Sequence, residues 1–317
     1  MSIVWGVTAY NHDTSIAVVD GGELTFFKHS KGVDFDADLA KKAISAVGFG
    51  PEVVAWYERP LWKKTRQMYA GQWDDVRDFS VMPRKWMKDS NVSYAKLKTF
   101  PHHKSHAAAG FLTSPFDEAT VVVMDAIGEW ETATIWHGKG TKLKKVWSVS
   151  YPNSLGLFYS AYTKLLGFKP IAEEHLLQKL AEQGDPSIFY NQIKENFKYP
   201  MILKENMHRG IWWWDSDTIP DDERADVAAA VQQVFEGQVD WVMRRAYSET
   251  RCSNLVYMGG CAMNSRYNKK LFSMWDKVWS IPLPGDPSSA IGAALLAANT
   301  RVEWNGELAK HLEVKTD

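Results

Sequence analysis

The feature that most constrains the fold of this chain is a pattern written twice. Near the start, Ile3 to Ala9 is a short apolar run, Ser15 to Asp20 a second and Glu23 to Phe27 a third. Asp20-Gly21-Gly22 is a tight-turn signal between the last two, and Asn11-His12-Asp13 falls in the turn before them. The same order returns later. Thr120 to Asp125 and Thr132 to His137 predict a hairpin around Ala126-Ile127-Gly128-Glu129, and Lys142 to Ser150 predicts a third strand. What repeats is order rather than identity: strand, polar turn, strand, strand, then helices. Such a chain is expected to build two α/β halves, and its hairpins argue against a simple doubly wound sheet.

The remaining pattern fills those halves. Helices are predicted over Asp36 to Val47, Leu155 to Leu166, Ala172 to Gln183, Met263 to Phe272 and Ala290 to Ala298. Another covers Asp226 to Tyr247, with an apolar stripe through Val227, Val231, Val234, Phe235, Val239 and Val242. Val53 to Tyr57, Asn254 to Met258 and Val278 to Ile281 read as strands, and residues 61–100 as helical in pieces. Two duplicated α/β subdomains with a nucleotide and metal site between them is the architecture of the actin-like ATPases, a ribonuclease H-like (ASKHA) fold. The boundary is placed so that residues 1–115 form the first subdomain and 116–317 the second, with the C-terminal helix packing back near the first. A net charge of −1 excludes a global pull toward nucleic acid or membrane. Two cysteines are too few for a disulfide framework and wrongly spaced for a zinc ribbon. With no apolar run of membrane-spanning length and no signal-peptide pattern, a cytoplasmic location is expected.

The chemistry concentrates in His102-His103-Lys104-Ser105-His106-Ala107-Ala108-Ala109. His102 and His106 are spaced i, i+4, so on a helix both imidazoles face one way and can grip one metal ion. Asp125 ends an apolar strand, and Asp286 lies in Pro284-Gly285-Asp286-Pro287, just before an Ala-rich helix. Two His and two Asp make a mixed N/O site suited to Fe(II), Mn(II) or Zn(II) rather than a soft thiolate metal. The plainer reading is that the two His cap and fill a helix start. Gly128, with Glu129 beside it, would let backbone approach a phosphate. Gly259-Gly260 follows a strand and would let adenine or ribose lie on the backbone, with Asn264 and Asn268 in the helix behind.

Taken in order, these stretches resemble the O-carbamoyltransferases of the NodU/CmcH type, relatives of the proteins that transfer threonylcarbamoyl groups to tRNA. The resemblance is carried by His12-Asp13 with Asp20-Gly21, Tyr57-Glu58-Arg59-Pro60, His102 through Ala109, and Asn153-Ser154-Leu155-Gly156-Leu157-Phe158-Tyr159. It continues through Asp226 to Gln232, Met258-Gly259-Gly260-Cys261-Ala262-Met263-Asn264, and Asp286 with Gly292-Ala293-Ala294-Leu295. It implies transfer of a carbamoyl group from carbamoyl-adenylate, made from ATP and carbamoyl phosphate, to an acceptor hydroxyl. It implies His102, His106, Asp125 and Asp286 as ligands of a divalent metal, Fe(II) first, near the adenylate phosphate. It also makes His12 the candidate to accept the hydroxyl proton or hold the carbamoyl carbonyl, with Asp13 beside it and Lys31 standing for the family's lysine after the first hairpin.

The sequence departs from that pattern in three places. The family's C-terminal module resembling YrdC, which makes the adenylate, has no counterpart here, so the chain is expected either to recruit a separate YrdC-like partner or to form the adenylate itself. The family's acidic stretch after the first hairpin is replaced by Lys28-His29-Ser30-Lys31, and its E-x-K-x-M-G-L-A-P-Y-G stretch keeps only Glu174, Ala181 and Gly184. For the acceptor, residues 56–104 carry eleven Lys/Arg against five Asp/Glu, interleaved with Trp56, Trp62, Trp73 and Trp86. Arg59 opens this stretch, and Trp212-Trp213-Trp214-Asp215 adds a second aromatic cluster, the ingredients of a nucleic-acid groove. A hydroxymethylated pyrimidine, in DNA or as a nucleotide, is therefore the expected acceptor. The alternatives are a small sugar or antibiotic hydroxyl, threonylcarbamoyl transfer to tRNA adenosine, a non-catalytic nucleotide-binding subunit, and an actin-like sugar kinase.

Overall fold

The computed structural model describes residues 2–77, 82–92 and 94–304. The first half opens with strands β1 (Val4–Thr8), β2 (Asp13–Asp20) and β3 (Glu23–Lys31), then helix α1 (Ala37–Val47) and strand β4 (Val53–Trp56). Helices α2 (Pro60–Tyr69), α3 (Trp73–Arg77) and α4 (Met82–Asp89) lead to strand β5 (Lys96–Thr99) and helix α5 (His102–Phe111). The second half opens with strands β6 (Glu118–Met124), β7 (Glu131–Lys139) and β8 (Lys142–Ser150). Helices α6 (Leu155–Leu165), α7 (Glu174–Leu180) and α8 (Tyr190–Lys194) follow, then the short pair β9 (Phe197–Tyr199) and β10 (Ile202–Leu203). The long helix α9 (Arg224–Thr250), strand β11 (Asn254–Met258), helix α10 (Ser265–Leu271), strand β12 (Lys277–Trp279) and helix α11 (Ser289–Ala298) complete it.

The two large sheets share one topology. The first has the order β3-β2-β1-β4-β5 and the second β8-β7-β6-β11-β12. In each, the three hairpin strands are antiparallel and the last two run parallel to the first of them. The repeat legible in the sequence is therefore a repeat of topology, in a mixed α/β fold with two five-stranded sheets. The edge strand β5 is a correction: Lys96-Leu97-Lys98-Thr99 lies in a stretch read as helical pieces. It pairs only with β4 and exposes most of its side chains, so it carries no apolar run. The helix expected from Met263 begins instead as a tight 3-10 turn over Gly260–Met263, and α10 starts at Ser265, capped by Asn264.

Small residues set the depth of the molecule. Helix α11 lies across the first sheet so closely that a Cβ on Gly6 of β1 would meet the Ala290 carbonyl oxygen at 1.8 Å. Helix α5 lies against the second sheet, where a Cβ on Gly110 would sit 2.6 Å from the side chains of Val256 and Met258 of β11. The two helices cross each other at Gly292, where a Cβ would fall 1.8 Å from the Ser105 carbonyl oxygen. The Ala-rich runs 107–109 and 293–294 are thus required by a helix pair pressed between two sheets, and both are fully buried. One core lies around the first sheet, α5 and α11; a second lies around α6 and the apolar face of α9. Among the described residues, no helix is long and apolar enough to cross a membrane.

Candidate metal centre

The helix pair delivers the site. Helix α5 begins at His102, so its first turn and a half places His102 and His106 on one side. Asp286 lies in the 3-10 turn immediately before α11, and Asp125 follows the last residue of β6. One ligand atom from each of these four lies within 4.8 Å of the others. His106 Nε2 is 3.1 Å from Asp286 Oδ1 and 3.2 Å from Asp125 Oδ2; His102 Nε2 is 3.3 and 3.4 Å from the same two atoms. The two Nε2 atoms are 3.0 Å apart.

This arrangement fits a divalent cation better than it fits hydrogen bonding. Burial alone would lower the His102 imidazole, but the Asp286 charge and bonds to both carboxylates outweigh it and hold the ring well above its usual range. Burial likewise opposes His106, and bonds to Asp125 and Asp286 raise it. Both carboxyls are held below their ordinary values by the two His, against the cost of burial. Two protonated rings would then point N–H groups at each other across 3.0 Å. A cation accepts four lone pairs at once and removes that conflict, and two imidazole nitrogens with two carboxylate oxygens are an ordinary donor set for one. His103, by contrast, is pushed well below its usual value by burial and by repulsion from His102, and bonds Thr134 Oγ1 at 3.1 Å.

The turn after β1 reaches the same place. Asn11 Nδ2 donates to Asp286 Oδ2 at 2.6 Å, and His12 Nε2 lies 3.5 Å from that oxygen. His12 Nδ1 lies 3.0 Å from Asp13 Oδ2, and this bond, with help from the Asp286 charge against burial, raises the His12 ring to about 9. Asp13 also accepts from the Gly32 N–H, which ties the turn to the end of β3. Lys31 faces Asp13 across the strand pair and its side chain is exposed. Asn11 was readable only as a turn residue; its place beside the expected His12 was the available signal.

Other expected site residues are committed to the protein itself. Glu129 and Arg59 hold each other: Arg59 Nε and Nη2 donate to Glu129 Oε2 at 3.0 and 2.6 Å, and the Arg59 and His102 backbone N–H groups both point to Glu129 Oε1. In this structure the Glu129 carboxylate and the Arg59 guanidinium are thus engaged with each other. Gly128 is a glycine because the rings crowd it: a Cβ there would sit 2.9 Å from His103 Cδ2 and 3.2 Å from His102 Cδ2. Gly259, at φ +90°, lets its chain pass over Met124, whose carbonyl oxygen a Cβ would meet at 2.2 Å, and Gly260 closes on Asp125 Oδ1. Asn264 caps α10 and exchanges hydrogen bonds with Gln232. Asn268 donates to the Ala262 carbonyl, while its Oδ1 is buried without a partner among the described residues.

Sequence reasoning missed the buried polar pair on α9. Gln232 bonds Tyr159, Asn264 and Glu236, and Glu236 in turn receives Arg266 and Lys270. The signal was two polar residues four apart interrupting an apolar stripe.

The aromatic expectations divide. Trp56 and Trp86 are core residues with no exposed surface and cannot line a groove. Lys63 is paired with buried Glu58, and Arg66 is folded onto Gln72. Trp62 and Trp73 are exposed, as are Trp212 and, less so, Trp213. Trp214 packs on the second core against Phe189, and Asp215 caps the following turn. Beside the β6–β7 turn, Tyr69 lies tilted to Trp130 and edge-on to Tyr151, and Trp130 donates to Thr65 of α2.

Comparison with known proteins is consistent with this geometry. The family model described as carbamoyltransferase N-terminus matches residues 56–295. The chain is 29% identical to the uncharacterized protein sll1178 of Synechocystis, over 93% of this chain and 57% of that protein. It is 27% identical to nodulation protein NolNO of Sinorhizobium fredii over 66% of this chain and 32% of the relative. It is 24% identical to nodulation protein U of Rhizobium fredii, over 89% and 58%. The chain thus spans between about a third and three fifths of these relatives' lengths. Full-length HypF, in a phosphate- and nucleotide-bound crystal structure, superposes with a TM-score of 0.51 at 14% identity, over 94% of this chain and 55% of that one, a likeness of fold. On the family match and the relatives together, this chain belongs to the carbamoyltransferase N-terminus family.

Proposed function

We infer that this chain transfers a carbamoyl group from carbamoyl-adenylate to an acceptor hydroxyl, in a metal-dependent site built on His102, His106, Asp125 and Asp286. The observation that carries the reading is the convergence of these four ligands at the meeting of the two sheets. We read the paired sheets, with one helix pair between them, as the actin-like ATPase fold. Nucleotide then lies beside Gly259 and Gly260, where Asn268 has a buried oxygen to offer. Fe(II) is our first choice of metal, with Mn(II) and Zn(II) next. A bound divalent cation would offset negative charge on the adenylate phosphate and orient the donor.

The reaction asks for little else. The acceptor oxygen forms a bond to the carbamoyl carbon, the carbon–oxygen bond to the phosphate breaks, and AMP leaves. In the metal-free protein Asp13 raises the His12 ring to about 9, and a protonated His12 is suited to donate an N–H to the carbamoyl oxygen as charge develops there. The hydroxyl proton passes to the departing phosphate. Asp13 and Asn11 hold the ring and Asp286 in place. Lys31 stays a candidate for the donor's anionic groups as they enter. The exposed rings Trp62, Tyr69, Trp212 and Trp213 favour an acceptor with a flat face, and a hydroxymethylated pyrimidine in DNA or as a nucleotide satisfies that. The adenylate would come from a YrdC-like adenylate-forming module, or from this chain itself.

The test is mass spectrometry of acceptors after incubation with ATP, carbamoyl phosphate, Fe(II) or Mn(II) and a YrdC-like adenylate-forming module. The panel holds hydroxymethylcytosine DNA, the corresponding monophosphate and an aminoglycoside. A gain of one carbamoyl group that disappears in His106→Ala supports the reading and names the acceptor class. Absence of any gain while adenylate accumulates refutes transfer by this chain to these acceptors.

A further inference from the structure

We propose that Glu129 and Arg59 are positioning residues for the metal ligand His102. The inference rests on the metal reading above and concerns residues outside the ligand set. Helix α5 starts after Pro101, whose side chain offers no cap, so the first N–H groups lack the usual local acceptor. Glu129 supplies it from the β6–β7 turn: its Oε1 lies 3.3 Å from the His102 N–H. The same oxygen accepts from the Arg59 N–H, and Oε2 takes both donors of the Arg59 fork. One carboxylate, 5% exposed, thereby joins three segments far apart in sequence at the first residue of the metal-bearing helix. The arginine is itself held flat, its guanidinium 4.9 Å from the centre of the Trp62 ring.

The geometry explains why both charges are needed. A carboxylate at a helix N-terminus is favourable on its own, but a buried one without a counter-charge is costly. Arg59 makes the burial tolerable, and its bidentate fork fixes the plane of the carboxylate. Glu129 cannot drift, because Gly128 before it packs directly on the His102 and His103 rings. The backbone of His102, from which the ring projects, is thereby held from the peptide side. Its far nitrogen, Nδ1, is buried and, among the described residues, finds no hydrogen-bond partner that would orient the ring instead.

The experiment is titration of the metal-free protein with Co(II), followed by its visible absorption, for wild type, Glu129→Gln, Arg59→Lys and His106→Ala. Thermal midpoints are recorded in chelator, which separates folding from metal binding. Loss of an outer partner bonded to a ligand's side chain weakens metal binding by about 10–100-fold. Glu129 holds the ligand's backbone instead, so Glu129→Gln is expected to raise the Co(II) Kd by about tenfold, the low end of that range, and alter the absorption envelope. Arg59→Lys keeps the charge, loses the fork, and is expected to fall between; it also serves if Glu129→Gln does not fold. Glu118→Gln, at an exposed pair with Lys139, should leave Kd unchanged. Wild-type Kd and spectrum in both Arg59→Lys and Glu129→Gln, even with a lowered midpoint, would overturn the relay alone. Wild type indistinguishable from His106→Ala would overturn the metal reading and the relay with it.

Discussion

Gly292→Ala is a single methyl placed at the crossing of α5 and α11. The added carbon would lie 1.8 Å from the Ser105 carbonyl oxygen, 2.6 Å from the Ala109 nitrogen and 2.8 Å from the Ser105 carbonyl carbon. All three are backbone atoms, so no side chain can swing away. To reach even a tight contact of about 3.0 Å, the helices must part by about 1.2 Å at the crossing. Overpacking of this kind costs about 1–3 kcal/mol, and rigid backbone on both sides places it at the upper end. The same displacement acts on the site. Ser105 lies between His102 and His106 on α5, while Gly292 lies on the helix that follows Asp286. Metal sites tolerate about 0.2 Å in ligand distance, several times less than the opening required. The expected result is a lower thermal midpoint in chelator together with a Co(II) Kd raised by about tenfold or more. A variant with unchanged midpoint and unchanged Kd would refute the argument that this crossing sets the geometry of the metal centre.

Three further outcomes follow from the same structure. Gly237 sits on the exposed face of α9 with nothing within 4 Å of an added Cβ, so Gly237→Ala should stabilise the protein by about 0.5–1 kcal/mol in urea unfolding; destabilisation would contradict the open site. In the metal-free protein the Asp13 bond raises His12 to about 9, a folded-state value above the unfolded one of about 6.5. The stabilisation from this pair is therefore full below about pH 6.5 and lost as pH rises through about 9, and Asp13→Asn should remove that dependence; a ring that titrates near 6.5 by NMR in wild type would refute it. Burial, and then the nearby Asp125 charge, push the Cys261 thiol far up, so native protein treated with iodoacetamide at pH 8 should stay unmodified there; labelling within minutes would show that the pocket opens.

Much of the site was legible because its signals are local. The i, i+4 spacing of His102 and His106, a carboxylate at the end of an apolar strand, and another before an Ala-rich helix each state a direction without needing a partner. What was not legible depends on encounters across the molecule. Arg59 and Glu129 are separated by 70 positions, and their pairing cannot be read until the two halves meet. The glycines were read as points of close approach, and the protein's own atoms already use that closeness: His rings at Gly128 and the Met124 carbonyl at Gly259. Trp56 and Trp86 shared composition with exposed neighbours, and only burial separates them. The fold was readable for a related reason. Hairpin turns and apolar runs repeat in one order, whereas β5, with alternating lysines at a sheet edge, leaves no such trace.

The duplicated topology also accounts for why the ligands come from where they do. In each half, the turn after the first strand faces the gap between the sheets: Asn11 and His12 after β1, Asp125 and Glu129 after β6. The two buried helices approach that gap by their N-termini, so backbone N–H groups and positive helix ends point into it. A site there begins with excess positive field, which favours carboxylates and anionic donors. The halves then diverge. Helix α5 carries its ligands within its first turns, while α11 is Ala-rich from the start and leaves the task to Asp286 in the turn before it. If both helices bore histidines, their rings would collide across the same few ångströms that now hold two rings and two carboxylates. The asymmetry is what lets a symmetric frame bring two rings and two carboxylates to one point.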